Sequence, residues 1–475
     1  MMIRDMNDRT GLKSEEIKTG SKLGARAAAA LAALPFWLFS VGMIGTLAGC
    51  TAETGLGSKD NEPAEYKEYV SAQTVAEISV DEALKDKTES GNVFTDYEHF
   101  DDADIEGFTN TFEWRFYDTL NHDENCLYSV YGLEQALGLL LNGVSDEETI
   151  KPVLNAFGFK NLKEFNSYFH VVNGYFLGNE ESQFNCGNLL LVDSRGSENL
   201  SFDEDYFSFI REVYNGSAEI VDFKDSNDLK DRFDRWLSNS TNGYMTDLGM
   251  TKGMNSGIFN AVYFKGLWDE GFDHEALAEF KDKNGVNKVV NMICGSRSVL
   301  YHEDEKYRGI MIPFVGENGL YFSACFVIPA DGSSNMAESW ASESVNYRIQ
   351  FMKDLALGYR EDLDIRFPET GIEVEHHLNE NFKKMGLLSL FNDSAEVDRL
   401  LSGRLVGITD ISHQTCIYMN KDGMFPYRKD NRSYSASDIL ESESVGSFIC
   451  DVPFLFTIRD DRYGIDIFTG FVNNV

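Results

Sequence analysis

From Phe108 to Val475 the apolar residues recur at two different periods within one uninterrupted stretch, and no other feature restricts the fold as much. "TFEWRFYDTL" spaces its apolar residues as a helix does, and "GLEQALGLLLNGV" is apolar on nearly every side, as a buried helix must be. "NLLLVD", "GIFNAVYF" and "YFSACFVIPA" are continuous apolar runs of strand length. "SFDEDYFSFIREVYN" follows the first of these strands as an amphipathic helix, and "DLKDRFDRWLSNSTNG" closes on Asn-Gly, a helix-stop signal. Helices and strands therefore share one core in an α+β arrangement, and the absence of any repeat period excludes solenoids and propellers. A chain of 475 residues, 43% hydrophobic and 13% aromatic, can bury a core of that size.

Ahead of that region, Arg4, Lys13, Lys18, Lys22 and Arg26 precede an uncharged run from Ala27 to Gly49. The run ends in Leu47-Ala48-Gly49-Cys50, which resembles a bacterial lipobox, where small residues fit the signal peptidase and the cysteine thiol takes a diacylglyceryl group. This predicts residues 1–49 as a lipoprotein signal peptide and Cys50 as the lipidation site; an uncleaved anchor helix is the other reading of the same run. Either way the expected location is the extracellular face of the bacterial cytoplasmic membrane, with the secreted protein as the variant of it. Residues 50–107 read as an acidic, largely disordered spacer. Within and just beyond it Asp102, Asp104, Glu106, Gly107 and Glu113 fall at EF-hand-like spacing, although Thr109 stands where such loops carry an aliphatic anchor and no second hand is evident.

Charge and motif content exclude several function classes. Asp and Glu outnumber Lys and Arg by 78 to 42, a net charge of -36, which repels nucleic-acid phosphates. With Cys50 assigned to lipid, Cys126, Cys186, Cys294, Cys325, Cys416 and Cys450 are scattered without metal-ligand spacing, so no metal is predicted. No nucleophile elbow, HExxH, phosphate loop or dinucleotide fingerprint appears, no nucleophile is paired with a base, and no catalytic residue is assigned. His376-His377 lies in "EVEHHLNENFKKMGLLSLF", which reads as an amphipathic helix with the two imidazoles on its solvated face.

The order of the blocks resembles the serpin family. "CLYSVYGLEQALGLLLNGVSDEE" is similar to the helix that opens the serpin domain, "FNAVYFKGLWDEGFD" to the family's most diagnostic internal segment, and "DISHQTCIYMNKDG" with "DVPFLFTIRDDRYGIDIFTGFVNN" to its last strands. The resemblance covers residues 108–475. It implies three β-sheets with roughly eight or nine helices, and a reactive-centre loop at about 423–446 that can insert into the central sheet as an extra strand. The same resemblance sets Ser129, Asn260 and His413 in the polar cluster beneath the sliding strands, and Trp268 where the loop would enter. It further implies an inhibitor of the serine-type endopeptidase class, not an enzyme, monomeric and without a cofactor. Its partner would be an extracellular serine or cysteine protease, with the membrane reached through the lipid anchor.

The loop itself, "NKDGMFPYRKDNRSYSASDILES", far exceeds an ordinary hairpin turn. Two counts for its scissile bond bracket Ser437, Asp438, Ile439, Leu440, Glu441 and Ser442; Leu440 is the large side chain there and suits a chymotrypsin- or elastase-like enzyme. The hinge carries Gly423, Met424, Pro426 and Arg428 where the family's inhibitors have small residues. Arg428 or Asp430 beneath the sheet would each cost several kcal/mol, and Pro426 has no N–H for a strand ladder. The hinge therefore argues against full, fast insertion, and a non-inhibitory role as binding scaffold or protease substrate stands as the alternative. Val130 and Gly132 also stand where the family usually has Pro and a second Ser.

Overall fold

The computed structural model describes residues 97–98, 100, 111–176, 184–194, 201–243, 245, 256–316, 319–391, 410–426 and 447–475. The expected signal segment with Cys50, most of the expected spacer, and residues 427–446, with Arg428 and Ser437–Ser442, lie outside the described residues.

Among the described residues the strands join into two hydrogen-bonded networks. The smaller runs β3 (Gly216–Val221), β2 (Phe184–Asp193), β4 (Ser256–Phe264), β12 (Asp410–Asn420), β13 (Gly423–Phe425) and β5 (Gly266–Leu267), with β11 (Thr370–His377) on the outer side of β12. The larger runs β1 (Cys126–Tyr128), β16 (Asp466–Val472), β15 (Phe454–Asp460), β9 (Phe322–Pro329), β8 (Tyr307–Pro313), β7 (Asn287–Glu303), β10 (Tyr359–Pro368) and β14 (Ser447–Ile449), with β6 (His274–Lys281) paired to β7. The three sheets expected from sequence appear as two networks because β7 is 17 residues long. Its Asn287–Cys294 part pairs β6 and its Leu300–Glu303 end pairs β8, so one strand fuses two sheets.

Nine α-helices pack on these sheets among the described residues: α1 (Thr111–Tyr117), α2 (Val130–Gly143), α3 (Glu147–Phe157), α4 (Leu162–Phe176), α5 (Glu204–Tyr214), α6 (Ser226–Ser240), α7 (Met336–Ser342), α8 (Val345–Ala356) and α9 (Asn379–Lys384). The all-round apolar sequence of α2 follows from its position between β2, β4 and β16, which buries every residue but Glu134. Period two divides the inner strands between two cores: Leu190, Val192, Ile258 and Val262 face the α2 side, whereas Leu189, Leu191, Phe259 and Ala261 face α6 and its Phe233, Trp236 and Leu237. The helix-stop signal of α6 is realised as positive φ at Asn242 and Gly243 (51° and 77°).

One sequence expectation needs correction here. "TGIEVEHH" is strand β11, not helix: Ile372 and Val374 alternate with Glu373 and Glu375, and full-length pairing with β12 outweighs the helical spacing of the longer window. Only Asn379–Lys384 of that stretch is α-helical. Glu113, the last residue of the EF-hand-like spacing, sits in α1 with its carboxyl buried against Thr469, which donates a hydroxyl to it; the other residues of that spacing lie outside the described residues. Burial and the neighbouring Asp466 push its pKa well above the usual carboxylate range. Near the end of the expected spacer, Tyr97 stacks on His170 of α4 at 4.0 Å, and the Glu98 N–H donates to Ser167 Oγ (2.7 Å).

Candidate functional site: the hinge seat and the latch beneath it

Strand β12 carries two neighbours in succession along one edge. β4 pairs in parallel with Asp410–Gln414, and β13 pairs antiparallel with Tyr418–Asn420, while β11 covers the opposite edge throughout. The chain reaches β13 through a two-residue turn, Lys421-Asp422, capped by Asn420, whose Oδ1 accepts the N–H groups of Asp422 (2.8 Å) and Gly423 (3.1 Å). β13 also pairs with β5, Gly423 opposite Leu267 and Met424 opposite Gly266. The hinge is thus already seated as a short strand at the top of this sheet.

Gly423 is required by the closeness of that seat: a Cβ there would lie 2.0 Å from the Gly266 carbonyl oxygen. Met424 is fully buried against Met419, and burying it contributes about 1.5–3 kcal/mol. Sequence reasoning treated its size as an obstacle; the sheet top holds it because its cross-strand partner is another unbranched, adaptable side chain. Pro426 is buried where the described strand stops.

Trp268 braces the turn from the side. Its Nε1–H donates to the Asn420 carbonyl (2.9 Å), its backbone N–H to that of Asp422 (3.1 Å), and the Phe272 N–H to that of Lys421 (3.2 Å). The indole stacks on Phe314 (4.7 Å, 12°) and meets Phe272 and Phe367 edge-on. Sequence reasoning singled out Trp268 but missed Arg297 of β7, whose guanidinium lies over the Phe272 ring at 4.0 Å. A lone arginine in a strand gave no signal.

Lower in the sheet, β12 and β4 set His413 beside Asn260, and the end of β1 brings Ser129 beneath them. The three contribute differently than a shared hydroxyl, amide and imidazole cluster would. The backbone N–H of Ser129 donates to His413 Nε2 (2.9 Å), whereas its hydroxyl caps α2 by accepting from Gly132 N–H (3.1 Å). Asn260 turns its amide away, donating to Asn188 Oδ1 (2.8 Å), Gly187 O (3.4 Å) and Cys186 Sγ (3.3 Å). Gly132 answers to this packing, since a Cβ would meet Asn260 Oδ1 and Val262 Cγ2 at 2.5 Å.

His413 is wholly buried and accepts at Nε2, so its proton sits on Nδ1, which has no partner among the described residues. Burial, with His376 nearby, holds its pKa well below the ordinary histidine value. His376 is the correction to the solvated-face reading. It points inward from β11, donates Nε2–H to the Leu127 carbonyl (3.0 Å), lies 3.7 Å from Cys126 Sγ and stacks on His413 (6.3 Å, 14°). Thr415 donates to the same carbonyl (2.8 Å), so Leu127–Ser129 is latched to β11 and β12 by three side chains. His377, by contrast, faces outward near Glu375 (3.8 Å). Among the described residues no cluster of His, Cys, Asp and Glu could hold a metal ion.

Gly423–Phe425, the expected hinge, is a three-residue strand in the same sheet as the buried polar latch, and comparison with known proteins gives this arrangement its family. Residues 108–475 match the family model Serpin (serine protease inhibitor). An uncharacterized serpin-like protein of Methanosarcina acetivorans is 25% identical over 387 residues, 79% of this chain and 87% of its own length. Leukocyte elastase inhibitor A of Mus musculus is 25% identical over 379 residues, 76% of this chain and 96% of its own. Among solved structures, native protease nexin-1 with heparin superposes with a TM-score of 0.66 at 20% identity, covering 79% of this chain and 100% of that one. The thermophilic serpin Tengpin in its native state also gives 0.66 at 20% identity, covering 80% and 96%. The chain is a member of the serpin family, most of whose members inhibit proteases.

Proposed function

We propose that this serpin is exported and lipid-anchored through Cys50, and that it presents the loop after Phe425 as bait to an extracellular serine or cysteine protease. Once cut, the loop advances no further than Pro426, so the protein is turned over mainly as a substrate. The register of β13 carries this reading. Continued along β12, the pairing of Met424 with Met419 and Phe425 with Tyr418 would set Arg428 opposite Thr415 and Asp430 opposite His413. Opposed residues share a face, and Thr415 and His413 are both fully buried. Two charges would enter the sheet's dry side at several kcal/mol each unless paired, behind a proline that cannot donate to the ladder. Leu440 in the bait window suits chymotrypsin- or elastase-like enzymes, in keeping with the elastase inhibitors among the relatives.

A second reading, a trap that inserts fully, is favoured by the burial of Met424 and by the His413 Nδ1–H, which has no partner among the described residues and would meet the Asp430 carboxylate. Incubation with chymotrypsin-, elastase-, trypsin- and subtilisin-like enzymes separates the two. Substrate turnover leaves mainly cleaved protein and few adducts in SDS; a one-to-one SDS-resistant complex would establish the trap instead.

A further inference from the structure

We infer that Arg297 is the positioning residue of the hinge seat. It reaches the seat through the segment Trp268–Phe272, which it holds at three points. One Nη donates to the Glu270 carbonyl, the other lies 3.6 Å from Asp269 Oδ1, and Cζ lies over the Phe272 ring, 4.0 Å from its centre. That segment touches the hinge directly: the N–H groups of Trp268 and Phe272 donate to the carbonyls of Asp422 and Lys421, the two residues of the turn before Gly423. β5, the strand against which Gly423 and Met424 pair, ends at Leu267, one residue before this segment.

A guanidinium is suited to this work and an ammonium is not. The fork donates to a carbonyl with one nitrogen and keeps the other in ion-pair range of a carboxylate, while the group lies over an aromatic ring. Arg297 does so with its side chain only 5% exposed. A cation that deep carries a desolvation penalty, which burial expresses by lowering the Arg297 pKa against the opposing pull of Asp269, Glu270 and Asp273. Its Nε has no partner among the described residues, so the group is not fully compensated. A methionine of similar reach would fill the space without that penalty. What arginine adds is a fixed position for Trp268–Phe272, and hence for the turn that aims Gly423–Phe425 between β12 and β5.

The assignment concerns the uncut protein, so hydrogen exchange of the intact protein, with no target protease present during labelling, tests it apart from the bait reading. Peptides covering 266–273 and 418–426 are compared with peptides from α2 and β16 in wild type, Arg297→Met and Arg297→Lys. Arg297→Met should raise exchange in the two seat peptides by about tenfold while α2 and β16 keep wild-type protection, because local opening is released without global unfolding. Arg297→Lys keeps the charge but not the fork and should restore only part of the protection. Exchange in the seat peptides that stays at the wild-type rate in Arg297→Met, or that rises equally across all four regions, would overturn the inference. Should Arg297→Met fail to fold, the lysine variant decides alone: seat-specific loosening supports the assignment, and wild-type or uniform exchange overturns it.

Discussion

His413 is held neutral by its surroundings, and its loss should be measurable. His413→Ala leaves the buried Ser129 N–H without an acceptor, so denaturant melts should show a destabilisation of about 1–3 kcal/mol; an unchanged midpoint would contradict the latch. The pH dependence has a definite sign. Because the folded pKa lies below the unfolded value, the unfolded chain binds a proton below about pH 6.5 that the native protein does not, so His413 disfavours the fold by up to about 1.4 kcal/mol per pH unit on acidification. Buried Asp460, raised to about 6, and its neighbour Asp461, raised to about 7, act in the opposite direction, so total stability is a poor readout. The difference between wild type and His413→Ala isolates the histidine: it should shrink from pH 7 to pH 5, and a constant gap would refute the assignment. The family blocks single out Ser129, Asn260 and His413 in the sequence; of these the structure joins Ser129 N–H to His413 Nε2. His376 was not, because two adjacent histidines in an acidic stretch look solvated until strand pairing turns one inward.

At the scale of elements, the helices and inner strands were legible because each carries its own period and stop signal. The hinge seat was not, since it depends on Gly266 and Leu267, which are remote in sequence from Gly423 and carry no periodicity. Gly423→Val tests that pairing. The added side chain cannot fit beside the Gly266 carbonyl, so β13 should leave the sheet and release Met424, lowering stability by about 1.5–3 kcal/mol. Limited proteolysis should then cut within 423–426, where the seated wild type resists; wild-type resistance in the variant would show that the seat is not what protects this segment. β11 was misread for a related reason: the window that looked helical joins an edge strand to the short helix α9, and the long-range partner β12 decides which period prevails.

Over the whole molecule, the proposed function needs a lipid anchor, a spacer and a serpin domain whose loop is bait. The anchor is tested by palmitate labelling, which should reach the wild type and be lost in Cys50→Ala; equal labelling of both would remove the lipoprotein claim. The central claim is that the cut loop stops at Pro426, and the melting temperature before and after a nick between residues 428 and 442 tests it most directly. A loop that inserts completely adds a strand to the central sheet and relieves a metastable fold, with a large rise in melting temperature, whereas a loop halted by Pro426, Arg428 and Asp430 adds nothing. The account predicts little or no rise. A sharp upward shift would contradict it, and would mean that Arg428 and Asp430 are accommodated beneath the sheet beside Thr415 and His413.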